Sequence, residues 1–223
     1  MSLLRTILRP AARAVWRLRE YRLSKAISAG GGRIRLSDPW MSVQVQMARD
    51  SRLVVRGTLL FQPWLGRSGR SNIILEAGAT LEINGDFGVG QGVTIYLAKG
   101  ACLTIGARRD ESNSGITCDT IVMVKKRMTI GCDFICAWGC VITDCDWHCM
   151  EGAPWQADVV IGDKVWIAHG SSVLKGSEIG SGAIVASRTV VAGQKIPPAS
   201  LAGGIPARVL RSGVRWDRDL PAI

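Results

Sequence analysis

The feature that most constrains this chain is an aliphatic residue that recurs every six positions from residue 161 to 191. Six residues fill the series without a gap: Ile161, Ile167, Val173, Ile179, Val185 and Val191. The residue four places after each of the first five is nearly always small: Val165, Ser171, Ser177, Ala183 and Thr189. A period of six matches neither the 3.6-residue period of a helix nor the two-residue alternation of a strand. It predicts a solenoid of short strands that turn a corner every six residues, with each aliphatic side chain pointing inward.

The same spacing occurs in two earlier stretches, separated by a polar segment over 107–115. The inward positions there are Leu75, Leu81, Phe87 and Val93, then Val124, Ile130, Cys136 and Ile142, and the next slot falls on His148. The period then fails, because Ile161 lies thirteen rather than twelve residues after His148. We therefore expect irregular first coils before residue 72 and an inserted loop over about 149–160. Loops on rigid scaffolds often carry functional sites.

Two segments, residues 161–180 and 196–211, point to a known family. The run IGDKVWIAHGSSVLKGSEIG, followed by IPPASLAGGIPARVLR, resembles the hexapeptide-repeat acyltransferases, which include galactoside, serine and polysaccharide O-acetyltransferases. The resemblance implies an all-β solenoid, a left-handed parallel β-helix with three hexads per coil. It also implies a homotrimer and acetyl-CoA as the acyl donor. The expected domains are a helical arm over 1–32, the β-helix over 33–202 and a C-terminal tail over 203–223.

Acyl transfer to a hydroxyl requires a base that accepts a proton near neutral pH, and imidazole has a suitable unperturbed pKa. The chain has two histidines. His148 ends the segment ITDCDWH, where Asp146 is the first candidate and Asp144 the second to orient its ring. Polysaccharide O-acetyltransferases look similar through AWGCVITDCDWH, which implies that His148 is the catalytic base. His169 is expected to line the substrate site.

The resemblance also implies that the pantetheine of the donor lies along the coils between two subunits. The cations expected near its phosphates are Lys175, Arg188, Arg208 and Arg211, since Arg suits bidentate phosphate binding. Small residues expected to contact it are Ala168, Ser187 and Ala202. Trp138 and Trp155 could stack on a sugar face.

The positive charge lies mainly at the N-terminal end of the chain. The formal net charge is +10, and residues 1–35 hold nine Arg and Lys against Glu20 alone, a net of +8. The remainder is near neutral, which argues against a nucleic-acid groove on the solenoid. Residues 1–25 are predicted to be helical, with a break near Pro10 and one apolar stripe: Leu4, Leu8, Ala11, Val15 and Leu18.

Two roles for this basic amphipathic segment remain open. It could attach to an anionic membrane surface, or it could cap the solenoid by packing its apolar stripe on the first coil. No apolar run approaches the ~20 residues of a membrane span. The predicted location is therefore the cytoplasm, with peripheral membrane attachment as the further alternative.

The cysteine and histidine content argues against disulfide and metal chemistry. Seven cysteines are an odd number and form no CxxC pair, so reduced thiols are the favoured interpretation. A zinc site of Cys145, His148 and Cys149 is the remaining metal alternative.

The leading prediction is an acetyl-CoA-dependent O-acetyltransferase acting on a sugar of a surface polysaccharide or its lipid-linked precursor, without a metal. The alternatives are an N-acetyltransferase of a nucleotide-linked amino sugar and a non-catalytic hexapeptide scaffold.

Overall fold

The computed structural model describes residues 3–64, 69–106 and 114–218, and side chains from residue 14 onward. Most of the polar segment predicted as a loop, 107–113, lies outside the described residues. The elements in chain order are α1 (Leu3–Ser24), β1 (Arg33–Leu36), β2 (Val43–Met47), β3 (Arg52–Val55), β4 (Thr58–Phe61), β5 (Ser71–Leu75), β6 (Thr80–Ile83), β7 (Phe87–Val89), β8 (Thr94–Leu97), β9 (Cys102–Ile105), β10 (Gly115–Ile116), β11 (Ile121–Val124), β12 (Arg127–Ile130), β13 (Ile135–Cys136), β14 (Val141–Thr143), β15 (Val159–Ile161), β16 (Trp166–Ile167), β17 (Ser172–Leu174), β18 (Glu178–Ile179), β19 (Ile184–Val185), β20 (Val190–Ala192), β21 (Lys195–Ile196), β22 (Ser200–Gly203) and β23 (Arg208–Ser212).

Every third strand joins the same parallel sheet, so the chain winds through three sheets in turn. Sheet I holds β1, β4, β7, β10, β13, β16, β19 and β22, sheet II runs from β2 to β20, and sheet III from β3 to β21. In the most regular part Ile167 pairs with Val185, three hexads later. The predicted β-helix of three hexads per coil is confirmed. We call its edges the I–II, II–III and III–I corners after the sheets that meet there.

The predicted inward positions form one continuous core. All six aliphatic residues from Ile161 to Val191 are buried, and so are the small residues between them, from Val165 to Thr189. Leu75, Leu81, Phe87 and Val93 and the later series from Val124 to Ile142 are buried as predicted. Ser171, a buried polar residue on one of the small slots, finds its partner on the next coil: its Oγ donates to the Ala186 carbonyl at 2.8 Å. Burial of apolar side chains at about 25 cal/mol per Å² supplies most of the stability of such a stack.

The predicted inward slot at residue 148 is wrong. The chain leaves the solenoid after β14 and returns at β15, so the inserted loop covers 144–158 rather than 149–160. His148 is exposed on this loop. The hexad spacing does not reveal where the loop leaves the solenoid. The chain stays buried through Thr143 and Asp144, just past the last inward position at Ile142.

Helix α1 covers the open edge of β1, as the cap alternative predicted, but it uses a different face. The Trp16 indole N–H donates to the Leu36 carbonyl at 3.1 Å, and Glu20 accepts from the Leu36 N–H at 2.8 Å. Ser24 Oγ accepts from the Ile34 N–H at 2.9 Å. Trp16 and Leu23 pack against the core. The edge strand is thereby protected from pairing with another chain.

One glycine marks how closely successive coils approach. A Cβ placed on Gly90 would lie 1.2 Å from the carbonyl oxygen of Thr117 on the next coil, whereas one on Gly88 would lie 3.1 Å from the flexible end of Gln62. We expect Gly90→Ala to lower the free energy of unfolding by about 3 kcal/mol or more, because the backbone must move. Gly88→Ala, the matched control, should change it by less than about 1 kcal/mol. Denaturant unfolding followed by circular dichroism measures both, and equal stability of the two variants would contradict the close approach.

Candidate active site

The loop over 144–158 leaves the solenoid at the II–III corner and is closed at its base. Asp144 is fully buried and its carboxylate accepts from the N–H groups of Lys125, Lys126 and Arg127 at 2.7, 2.8 and 2.8 Å. These three amides lie at the corner of the previous coil, between β11 and β12. The Asp144 carbonyl accepts from the Ala157 N–H at 3.0 Å, which joins the beginning of the loop to its end.

A short antiparallel contact continues this closure outward. Cys145 and Gln156 form a bridge, and the Asp146 N–H donates to the Trp155 carbonyl at 2.9 Å. The loop therefore leaves as a narrow hairpin, with residues 147–154 at its tip. His148 lies at this tip.

Trp147 fixes the backbone beside His148. Its φ of +63° lies in the left-handed region, which a bulky side chain rarely adopts. The Trp147 indole N–H donates to Thr143 Oγ1 at 3.2 Å, and its ring packs on Tyr96 of sheet II with centroids 5.6 Å apart. Such strain persists only where the surroundings determine the conformation. Trp147 thus holds the loop against sheet II and directs where the next residue emerges.

Tyr96 is itself held by a short hydrogen bond, from its hydroxyl to the Glu76 carboxylate at 2.6 Å. Burial and this hydrogen bond raise the pKa of Tyr96 to about 12. The same bond lowers the pKa of Glu76. At neutral pH the phenol therefore stays protonated and the carboxylate ionised, so the support beneath Trp147 keeps its hydrogen bond.

The His148 side chain is exposed, and within the described residues it makes no hydrogen bond or ion pair. Neither predicted carboxylate orients it in this structure. Asp144 is committed to three backbone amides, which rules it out as the partner of His148. Asp146 forms an ion pair with Lys175. The His148 imidazole is thus free to contact a substrate.

The Asp146–Lys175 ion pair borders a cavity between the loop and the II–III corner. The cavity has a volume of ≈ 320 Å³, and its walls include Pro154, Leu174 and Ala192. Lys175, predicted to lie near donor phosphates, therefore lies on the same side of the solenoid as His148. Trp155, predicted to stack on a sugar, is a partly exposed residue of the same loop.

A second group of predicted site residues meets at the I–II corner and is spread over three successive coils. The rings of Trp138 and His169 stack with centroids 5.2 Å apart and an interplanar angle of 12°. Ser187 Oγ lies 3.0 Å from His169 Nδ1, and the tautomer of the imidazole decides which of the two donates. Arg188 follows, exposed and with a φ of +56°. This corner therefore presents an aromatic stack, a hydroxyl and a cation.

The remaining predicted donor contacts are two buried alanines and two exposed arginines. Ala168 and Ala202 are buried, and their backbones take part in the ladders: the Ala168 N–H donates to Val185, and the Ala202 carbonyl accepts from Ala186. Their role as donor contacts stays a prediction. Arg208 and Arg211 are exposed on β23, which pairs antiparallel with β22.

The proposed zinc ligands do not gather around a common point. Cys145 is buried, whereas His148 and Cys149 are exposed, and in the described part of the chain no three His, Cys, Asp or Glu side chains lie close enough to hold a metal ion.

Sequence reasoning missed Trp147, Thr143 and Tyr96, which hold the base of the loop. Trp147 stands directly before His148 in ITDCDWH, and an aromatic residue beside a candidate base could have drawn attention to it. Its contact with Tyr96 joins residues two coils apart, which no local pattern shows.

Comparisons with known proteins find a family model and named relatives that each match part of the chain. Residues 158–193 match the family model described as bacterial transferase hexapeptide, six repeats, which confirms the repeat over its most regular part. Over 31% of its length the chain is 32% identical to a probable macrolide acetyltransferase of Lysinibacillus sphaericus, and the match covers 41% of that relative. Over 24% of its length it is 40% identical to the putative lipopolysaccharide biosynthesis O-acetyl transferase WbbJ of Escherichia coli (strain K12), of which the match covers 26%.

The chain thus spans less than half the length of these relatives. Among solved structures, the polySia specific acetyltransferase NeuO is similar with a TM-score of 0.47 and 20% identity. That match covers 88% of this chain and 82% of NeuO.

Proposed function

We propose that this chain is an acetyl-CoA-dependent O-acetyltransferase that acts on a carbohydrate hydroxyl, with His148 as general base. The observation that carries the proposal is the His148 imidazole, which is exposed and unpartnered among the described side chains yet stands on a loop fixed by Asp144 and Trp147. A general base must be held in position, and its side chain must also be free to accept a proton from the substrate. The match of residues 158–193 to the transferase repeat supports the acyl-transfer chemistry.

In the proposed reaction His148 takes the proton from the acceptor hydroxyl as its oxygen attacks the thioester carbonyl of acetyl-CoA. A new C–O bond forms and the C–S bond breaks. The imidazolium then returns the proton to the departing sulfur, so that free CoA and the acetyl ester leave and His148 is neutral again. Atoms and charge balance without a metal or a redox partner.

The two groups of site residues suggest how the donor is held. His148 and Lys175 lie at the II–III corner, whereas Trp138, His169, Ser187 and Arg188 lie at the I–II corner. The two corners are separated by the width of sheet II. A homotrimer in which the loop of one protomer reaches the I–II corner of its neighbour would join both groups in one site. In that arrangement Ser187 and Arg188 contact the donor.

The acceptor is proposed to be a sugar of a surface polysaccharide or of its lipid-linked precursor. The E. coli relative is named for lipopolysaccharide biosynthesis, and the partly exposed indoles of Trp138 and Trp155 suit a sugar face. The relative named for a macrolide shows that an acceptor panel must extend beyond sugars.

The test is acetyl transfer by the purified full-length chain to a panel of glycosides, amino sugars and macrolides. We expect CoA release above the acceptor-free rate with a glycoside, and an acetylated product that hydroxylamine cleaves, as it cleaves esters. Chromatography is the appropriate readout for CoA, because the exposed Cys149 would react with thiol reagents. A hydroxylamine-stable product on an amino sugar would reassign the chain to N-acetylation. Failure to bind acetyl-CoA in calorimetry, with no turnover, would favour the scaffold.

A further inference from the structure

Helix α1 has two faces, and its packing on β1 leaves the apolar one outward. The inner face carries Trp16, Glu20 and Leu23, which contact the first coil. On the outer face Val15, Leu18 and Tyr21 are 60%, 46% and 59% exposed. Since successive residues of a helix are about 100° apart, Leu18 projects nearly opposite to Trp16 and Leu23. Val15 and Leu18 belong to the apolar stripe predicted from the sequence, and they are its members whose side chains the structure describes.

The outer face is also cationic. Arg22 and Lys25 are exposed on it, and Lys25 Nζ lies 5.0 Å from the centroid of the Tyr21 ring. The single acidic residue of the segment, Glu20, is turned inward, where it pairs with Arg35 and accepts from the β1 backbone. Among the described residues of α1, no carboxylate therefore offsets the outward charge.

A second exposed aromatic residue stands at the same end of the solenoid. Trp40 is 86% exposed in the turn between β1 and β2. Arg19 holds this turn to α1 by donating to the carbonyls of Pro39 and Met41, the latter at 2.9 Å. The backbone N–H of Trp40 donates to Asp38 Oδ1 at 2.8 Å. A tryptophan kept in this position is suited to a membrane interface, where its ring meets both lipid and water.

We propose that the outer face of α1, together with Trp40, docks this end of the solenoid on a membrane surface that contains anionic lipids. Val15, Leu18, Tyr21 and Trp40 would enter the boundary between headgroups and acyl chains, while the cations meet lipid phosphates. In the described part of the chain, no helix is long and apolar enough to cross a membrane. A second copy of the chain fits this surface less well, because it would bring the same cations face to face. Docking needs no acetyl transfer, so it can fail without affecting the proposed function.

The experiment is sedimentation of the full-length chain with phosphatidylcholine vesicles and with vesicles that also contain phosphatidylglycerol. We expect binding to the anionic vesicles, little binding to the neutral ones, and weaker binding as salt is raised. Leu18→Glu should lower the partition coefficient at least about tenfold, since it replaces the apolar side chain at the centre of the face with a negative charge. The matched control is Val209→Glu, at a residue of similar exposure, 44%, on the far end of the solenoid; it should bind as the native chain does.

Circular dichroism and thermal unfolding of both variants establish that the fold is retained. Native-like vesicle binding by Leu18→Glu, or equal binding to neutral and anionic vesicles, would overturn the proposal. A smaller oligomer formed by Leu18→Glu in the absence of lipid would do the same, because it would show that another copy covers the face.

Discussion

His148→Ala is expected to lower kcat for acetyl transfer by about 100- to 10,000-fold, the usual contribution of a positioned general base. The side chain is exposed and, within the part of the chain that the structure describes, it has no hydrogen-bond partner. Its removal should therefore leave the unfolding temperature and the affinity for acetyl-CoA nearly unchanged. Steady-state kinetics and calorimetry on the same preparation separate these quantities.

The control for the loop is Met150→Ala, two residues further along and 69% exposed. It truncates a side chain on the same hairpin tip without removing a titratable group, so kcat should stay within a few-fold of the native value. His169→Ala tests the alternative base. If kcat fell less than tenfold in His148→Ala and fell further in His169→Ala, the general base would instead be His169 at the I–II corner.

The core of the fold could be predicted because the information is local. Each inward position is determined by its own aliphatic residue and by the corner that follows, so the spacing from Ile161 to Val191 was enough to predict a solenoid that turns a corner every six residues. The number of three hexads per coil came from the family resemblance. The exit of the loop was not local in this sense. Asp144 ends the run because it satisfies three amides left open on the coil below, at residues 125–127. The hexad spacing carries no information about these three hydrogen bonds. The prediction of an inward position at His148 is therefore wrong.

The N-terminal helix shows the same limit in a different form. The sequence has one clear apolar stripe, which would ordinarily be placed inward. The first strand of a solenoid, however, presents unpaired backbone groups, and Val15 and Leu18 cannot hydrogen bond to them. Trp16, Glu20 and Ser24 can, and they take the inner face. The hydrogen bonds of the β1 edge thus determine the rotation of the helix.

The site could be predicted by residue type but not by arrangement. His148 and His169 were recognisable as the two imidazoles of the chain, yet the structure places them at different corners, one on a hairpin and one stacked on Trp138. The short distance in sequence between Asp146 and His148 suggested that they pair. In the structure the Asp146 carboxylate instead forms an ion pair with Lys175 of the next coil. Contacts between neighbouring coils determine which side chains pair, and the spacing of residues within one coil does not show them.

Asp144→Ala is expected to lower the free energy of unfolding by about 3 kcal/mol or more, because it removes three hydrogen bonds to a buried carboxylate and a hydrogen bond to a charged group contributes about 1.5–3 kcal/mol. Three amides, those of residues 125–127, lose their acceptor together. Asp144→Asn keeps one carbonyl oxygen but turns an N–H₂ group toward backbone donors, so its loss should be intermediate. Denaturant unfolding of the full-length chain gives these free energies.

The contrast with Asp146 makes this expectation specific. Asp146→Ala removes a carboxylate two residues away that is partly exposed and paired with Lys175, and such pairs contribute about 1 kcal/mol or less. Since the Asp144 carboxylate also fixes the base of the hairpin to the previous coil, its loss should lower acetyl transfer along with stability, even under conditions where Asp144→Ala is folded. If the two alanine variants were equally stable, Trp147 and the Cys145–Gln156 bridge would have to hold the loop on their own. His148 would then owe its position to the aromatic contact on sheet II rather than to the buried carboxylate.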